Sequence, residues 1–313
     1  MLMRNKKIIM VTGSNGFIGQ NLISKLLTMN LEVYAFSRSI KKRIEPNLHE
    51  INIDLNQKLE VTNLIKKIQP DAIIHLAYDW SDYQFTESHI PNNIGNLNMT
   101  LNILDACYLL RHIPKFINIG SCEEYGNTEI PFNETLCPNP ITDYGKTKLL
   151  ISEKIQNYSN ENKINGVTLR TSVVYGNNQN REMLIPYIVS NLLNRKPVKI
   201  LHGDDTRDFI HVQDVVDAII LAFESNLKFS GDIINIASGE SMVVKDLVKL
   251  IVDFVNPNFE DLLEISSTQK DTAHIKNYYV NIKKAAQILK WQPRIELKEG
   301  LRQLVKFKTS GVQ

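Results

Sequence analysis

Three glycines, Gly13, Gly16 and Gly19, stand where an apolar run, Ile8 to Val11, gives way to the helical periodicity of Phe17 to Leu27. No other feature restricts the possible folds as strongly. A strand that turns at once into a helix needs one residue for the tight turn, a second over which pyrophosphate can approach the backbone, and a third that lets helix and strand pack closely. The amides exposed at the new helix end favour an anion. The spacing is GxxGxxG rather than GxGxxG, and a purely structural glycine turn is the alternative. The strand-turn-helix context favours a dinucleotide site formed by Gly13, Asn15, Gly16, Phe17, Ile18 and Gly19.

The alternation continues along the chain. Strands are expected at Glu32 to Phe36, Ala72 to Leu76, Lys115 to Ile119 and Val167 to Leu169, with helical patterns at Leu59 to Ile68, Leu97 to Leu110 and Lys146 to Tyr158. Apolar strands joined through helices form a parallel sheet covered on both faces, so the fold class is α/β with a Rossmann-like sheet flanked by helices. After Tyr175-Gly176 the rhythm changes. Helices are expected at Leu184 to Leu193, Val215 to Phe223, Val243 to Phe254 and Leu297 to Phe307, with a strand at Ile233 to Ile236. Residues 1–176 are therefore read as mainly an NAD(P)-binding Rossmann-like domain. Residues 177–313 are read as mainly a smaller C-terminal substrate-binding region, with chain crossovers back to the core.

Composition narrows the function classes. With 43% hydrophobic and 22% charged residues over 313 positions, the chain can bury a core and is not of disordered or fibrous type. Lys plus Arg is 36 and Asp plus Glu is 34, a net charge of +2 without long single-sign blocks, which argues against a nucleic-acid partner. Cys107, Cys122 and Cys137 form no CxxC pair, so a reducing compartment is expected. No apolar run is long enough for a bilayer or a signal peptide; a soluble, cytoplasmic protein with no membrane partner is expected.

The second strand ends at Phe36-Ser37-Arg38, where an adenosine ribose approaches in such folds. An NAD site commonly places a carboxylate there, whereas a 2′-phosphate needs donors or a cation. Ser37 and Arg38 thus favour NADP(H), with NAD(H) as the alternative and a solvated surface role for Arg38 as the simpler explanation.

Tyr144 and Lys148 lie four residues apart, on one helix face about a turn from each other. A neighbouring ammonium favours tyrosinate and eases proton transfer. Ser121, at the end of the strand beginning at Lys115, can hydrogen-bond the oxygen that Tyr144 protonates or deprotonates while nicotinamide exchanges hydride, a set that needs no metal. Cys122 has no nearby His in sequence and reads mostly as packing. Glu123 is either surface charge or a substrate contact and auxiliary acid/base.

Assembled in this order, the motifs resemble the extended short-chain dehydrogenase/reductase family, in its group of nucleotide-sugar epimerases, dehydratases and reductases. GxxGxxG and Tyr144-xxx-Lys148 match the family signature, and His75-Leu76-Ala77 and Asn96-xxx-Thr100-x-Asn102 match its fourth strand and following helix. The resemblance implies that Leu76 and Ala77 border the cofactor, that Asp54-Leu55 lies beside adenine, and that Asn96 supports the active-site arrangement. A turn cap for Asp54 and helix-surface polarity for Asn96 are the alternatives. Further on, Leu169 to Gly176 resembles the strand entering the substrate loop, with Ser172 where epimerases often carry Asn. Gly203 to Ala218 resembles the substrate-binding segment, with Arg207 at the diphosphate contact, and Trp291 falls in the family's final packing region. Gln269-Lys270-Asp271 departs from the family's Arg-Pro-Gly-Asp pattern, with Thr268 in place of a second phosphate-binding Arg.

The resemblance also implies a nucleotide-diphosphate sugar as substrate and a homodimer built on the helices at 97–110 and 146–158. Ser121-Cys122-Glu123 stands where dehydratases carry Thr-Asp-Glu, so the acid that assists water loss is missing. Substrate contacts are expected from Ser121, Cys122, Glu123, Ser172 and Arg207. The expected reaction is NADPH-dependent reduction of a nucleotide-linked 4-keto-6-deoxy sugar, with an NAD(P)-dependent nucleotide-sugar 4-epimerase as the alternative and a 4,6-dehydratase behind it.

Overall fold

The short apolar runs of the first half become neighbouring strands of one sheet in a computed structural model, which describes residues 6–80, 94–266 and 275–310. β1 (Lys7–Thr12) leads into α1 (Phe17–Leu26), followed by β2 (Leu31–Ser37), β3 (Leu48–Asn52), α2 (Lys58–Ile68), β4 (Ala72–His75), α3 (Ile94–Cys107), β5 (Lys115–Ser121), α4 (Asp143–Asn160) and β6 (Asn165–Thr171). The second half runs through β7 (Val173–Tyr175), α5 (Leu184–Leu193), β8 (Val198–Ile200), β9 (Thr206–Arg207), β10 (Phe209–His211), α6 (Val212–Glu224), β11 (Asp232–Ile236), β12 (Met242–Val243), α7 (Val244–Val255), β13 (Leu263–Ile265), α8 (Lys283–Ile288) and α9 (Leu297–Thr309). Thr268, Gln269, Lys270 and Asp271 lie outside the described residues.

Seven strands pair in the order β11-β6-β5-β4-β1-β2-β3, every neighbouring pair parallel. Because β1 has β2 on one side and β4 on the other, the winding direction reverses there, and a crevice opens at the carboxyl ends of these strands. The register brings Thr12 level with His75 and Ser121 level with Thr171. The glycine turn, the segment after β4 and Ser121 therefore share one edge of the sheet.

One sheet face packs against α1 and α6 through Ile9, Val11, Ile23, Ile74, Ile117, Val215 and Ile219; the other packs against α2, α3 and α4 through Met10, Ile65, Ile73, Ile103, Phe116 and Ile151. Each such side chain, fully buried, contributes roughly 1.5–3 kcal/mol relative to exposure. α6 and β11 belong to this layered core although they follow residue 176, as does Trp291, whose indole N–H donates to the Asp214 carbonyl at 3.0 Å. A separate core joins α5, α7, α9 and Tyr175. It is edged by strand pairs of two or three residues, β8 with β13, β9 with β12 and β7 with β10. In β9, Arg207 stands level with Met242 of β12.

Candidate active site

The turn after β1 holds Gly13 at φ +66°, and a Cβ there would lie 2.8 Å from the Ala77 amide nitrogen. At Gly19 a Cβ would lie 2.3 Å from the Gly13 carbonyl oxygen, so α1 can sit against the turn only with glycine at that position. Phe17 and Ile18, both half-buried, open α1, whose first turn has no side-chain cap. Its amides and the turn backbone form a cradle suited to pyrophosphate. Thr12 Oγ1 accepts the amides of Leu76 and Ala77 at 3.2 and 3.3 Å and bonds His75 Nδ1 at 2.8 Å, while His75 Nε2 bonds Thr100 at 3.0 Å. Leu76 and Ala77 are thereby locked against the glycine turn, and these residues fit a dinucleotide.

Asn102 Nδ2 donates to the Leu55 carbonyl at 2.9 Å, holding the Asp54-Leu55 segment expected beside adenine. Asp54 is exposed and accepts the Asn56 amide at 2.9 Å, so it does act as a turn cap and also faces solvent. Asn15 Nδ2 donates to Ser37 Oγ at 3.0 Å, and the Ser37 hydroxyl in turn donates to the Ser39 carbonyl. Arg38 forms an ion pair with Asp79.

Ser121 ends β5, and its main-chain amide is held by Glu124 at 2.9 Å. The Ser121 side chain accepts the Glu123 amide at 3.1 Å and hydrogen-bonds the Tyr144 phenol. Tyr144 stands in the first turn of α4, started by Thr142, whose Oγ1 accepts the Gly145 amide at 3.0 Å and donates to Glu123 Oε2 at 2.6 Å. Glu123 is thus tied to the helix end beside Tyr144 rather than free on the surface. Lys148 is buried one turn on, donating to the Ile119 carbonyl at 2.8 Å, with its Nζ 5.8 Å from the Tyr144 ring centre. The structure therefore brings Ser121, Tyr144 and Lys148 together.

Burial, with Glu123 adding its negative charge, holds the Tyr144 phenol well above its ordinary pKa. That outweighs the downward pull expected from Lys148. The lysine itself is drawn down to about 8 by burial, with Glu124 pulling the other way.

Asn96 is buried in α3, accepts the Asp79 amide at 2.6 Å and donates to the Asp79 carbonyl at 3.0 Å. It clamps the segment after β4, whose Tyr78 and Trp80 rings lie 5.1 and 4.9 Å from the ring of Tyr144. Cys122 is fully buried among Tyr125, Phe132, Ala237 and Tyr278, its thiol directed at the Arg170 carbonyl and its pKa pushed up by burial. The packing role accounts for it. Ser172 is buried too and donates to Asp208 at 3.0 Å.

Arg207 lies at the other end of the site, paired with Asp205 at 3.1 Å and bonded to the carbonyls of Thr206 and Lys276 at 2.7 and 3.2 Å. Its guanidinium stands 5.2 Å from the ring of Tyr278, a buried residue within the electrostatic reach of Glu123, Cys122 and Tyr144. Sequence reasoning passed over Tyr78, Trp80 and Tyr278. No local spacing marks them, since each meets its partners only through tertiary contacts.

Similarity to known proteins agrees with this geometry. The NAD dependent epimerase/dehydratase family model matches residues 9–237. A Methanocaldococcus jannaschii protein provisionally named UDP-glucose 4-epimerase is 29% identical, covering 96% of this chain and 98% of its own. The crystal structure of UDP-glucuronic acid 4-epimerase from Bacillus cereus, in complex with UDP-glucuronic acid and NAD, superposes with a TM-score of 0.86 at 25% identity, covering 97% of this chain and 99% of that one. MoeE5 in complex with UDP-glucose and NAD gives 0.82 at 26% identity, covering 97% and 99%.

The expected preference for NADP(H) is corrected by these structures, which were captured with NAD. The physical reason lies at the end of β2. The Asp79 carboxylate stands beside Arg38, a negative charge facing any 2′-phosphate there, and the Ser37 hydroxyl is committed within the chain. Among the described residues no helix is long and apolar enough to cross a membrane. With a glycine cradle at the sheet's reversal point, a Ser-Tyr-Lys cluster beside it and a family model matching most of the chain, the protein belongs to the NAD-dependent epimerase/dehydratase family of extended short-chain dehydrogenases/reductases and is an NAD(P)-binding enzyme.

Proposed function

We propose that the chain interconverts C4 epimers of a nucleotide-diphosphate sugar, with NAD(H) in the crevice lined by Gly13, Asn15, Gly16, Phe17, Ile18, Gly19, Ser37, Arg38, Asp54, Leu55, Leu76 and Ala77. The observation that carries it is the hydrogen bond between Ser121 and Tyr144 beside the buried Lys148, next to that crevice. Tyr144 takes the proton of the C4 hydroxyl as that carbon is oxidised and returns it to the oxygen of the opposite epimer. Ser121 holds the same oxygen through both halves. The high pKa of Tyr144 makes the phenol a proton store that ionises only while Ser121 supports its charge, with the Lys148 ammonium 5.8 Å from the ring positioned to share in that support. Bound NAD supplies hydride acceptance at C4 and hydride return.

On the substrate side Arg207 binds the diphosphate, sharing its charge with Asp205, and Tyr278 lines the way from Arg207 to Glu123. Ser172 acts behind this wall through Asp208. The division near residue 176 into a cofactor part and a substrate part belongs to the same proposal, as does a homodimer through α3 and α4, where Leu150 of α4 and Tyr108, just after α3, are exposed.

Epimerase is favoured over a 4-keto-sugar reductase because the relatives support it: the 29% relative and the 25% structure both carry 4-epimerase names. Dehydration is disfavoured because the buried Cys122 thiol, its pKa raised, is a poor acid for water loss. The test is to incubate UDP-, dTDP-, CDP- and GDP-linked sugars with enzyme and NAD, reading products by NMR and cofactor by absorbance. A C4 epimer without net NADH is expected. Stoichiometric NAD(P)H consumption with a 4-keto-6-deoxy sugar would replace this function by reduction, and release of a 4-keto-6-deoxy product by dehydration.

A further inference from the structure

Beneath Ser121 lies a carboxylate that the chemistry above does not use. Glu124 is fully buried. Its Oε1 accepts the Ser121 amide at 2.9 Å, and its Oε2 accepts Ser152 Oγ and Arg170 Nε, each at 2.8 Å. Ser152 lies one turn beyond Lys148 on α4 and also donates to the Lys148 carbonyl at 3.0 Å. One side chain thus ties the end of β5 to α4 and β6. Gly120 leaves room for it, since a Cβ there would lie 2.5 Å from Oε1.

Stability alone is a weak reason for such a group, because a buried ion pair can often be exchanged for apolar residues at no loss. An apolar pair could not hold the Ser121 amide or place a negative charge near Lys148. We propose that Glu124 is a positioning residue that fixes Ser121 against Tyr144 and keeps Lys148 charged. It rests on the assignment of Ser121, Tyr144 and Lys148 to the reacting centre.

The groups facing Lys148 are His75 from β4, the Tyr78 ring after it at 4.9 Å, Tyr144 on its own helix, and Glu124 after β5. Burial, with the Lys148 charge adding to it, takes His75 down to about 3, so His75 is neutral at working pH, and among the described residues the negative group acting on the lysine is Glu124. Arg170 and the Tyr125 ring beneath it, 4.5 Å apart, complete the shell around the carboxylate. Neutralising Glu124 lowers the Lys148 pKa further, so the ammonium is lost at a lower pH.

The experiment measures kcat and KM against pH for wild type, Glu124→Gln, and Glu124→Gln with Arg170→Met, which removes both buried charges. Expected for Glu124→Gln is a kcat roughly 10–100-fold lower from misplaced groups, a nearly unchanged KM, and an alkaline limb about one pH unit lower. The double variant should recover the melting temperature but keep the shifted limb. A limb that coincides with wild type in Glu124→Gln, or that returns with stability in the double variant, overturns the proposal. Should wild type turn over no nucleotide sugar, the functional assignment fails separately. The Lys148 titration, followed by NMR of lysine labelled at Cε and assigned with Lys148→Arg, then decides the Glu124 proposal by the same shift.

Discussion

The crevice has two banks built by different means. On the β1 side the surface is backbone: Gly13 and Gly19 leave no room for a Cβ, α1 opens without a side-chain cap, and Thr12 pins Leu76 and Ala77. On the far side the surface is side chains brought from distant parts of the chain. Arg207 of β9 pairs with Asp205, reaches the Lys276 carbonyl and covers Tyr278. The two arginines sharpen the contrast. Arg38 on the cofactor bank has a side chain 67% exposed, whereas that of Arg207 is 20% exposed. Both have carboxylate partners, but water screens the first pair far more than the second. Steric fit thus dominates one bank and electrostatics the other, with Tyr144 where they meet.

The largest effect is expected at that junction. Tyr144→Phe keeps the ring stacked on Trp80 and edge-on to Tyr78 but removes the hydroxyl, so both ligands should still bind while turnover falls roughly 10²–10⁴-fold. Steady-state rates with calorimetric binding of NAD and nucleotide sugar check this, and near-normal turnover would remove Tyr144 from proton transfer. Next is Arg207→Ala. Loss of a charge-assisted contact of roughly 1.5–3 kcal/mol should raise the nucleotide-sugar Kd by about tenfold or more while NAD binding holds. Equal losses for both ligands would erase the distinction between the banks.

Acid-base behaviour follows from Lys148. Because its pKa lies near 8, below the ordinary lysine value, the charged form dominates at neutral pH and is lost above about 8. kcat should decline there by about tenfold per pH unit once the lysine is mostly neutral. A profile flat to pH 10 would separate activity from Lys148. The smallest effect is expected from Arg38→Ala, with the NAD Kd changing by less than about threefold because the exposed Arg38–Asp79 pair is worth little. A loss as large as that of Arg207→Ala for its own ligand would place electrostatics on the cofactor bank as well.

The first bank was legible because its signals are local. Strand β1, the glycine turn and α1 occupy consecutive residues. The four-residue spacing of Tyr144 and Lys148 is likewise a property of one helix. β3 was missed since only Leu48 of its five residues is buried, so the apolar signature of an interior strand is weak. The strands of two or three residues around the second core carry too few positions for any periodicity.

By itself, the sequence determined the Rossmann-like sheet, the glycine turn after β1 and the placing of Tyr144 and Lys148 on one helix face, since each depends on residue types at short separations. Tertiary structure decided what long-range neighbours decide. Arg38 meets the carboxylate of a residue 41 positions away, Cys122 is sealed into a core, and Glu124 is joined to Arg170 across 46 positions. A side chain's charge can be read from its letter, but its effective charge is set by whatever folding places within a few ångströms, and burial then amplifies that partner's influence.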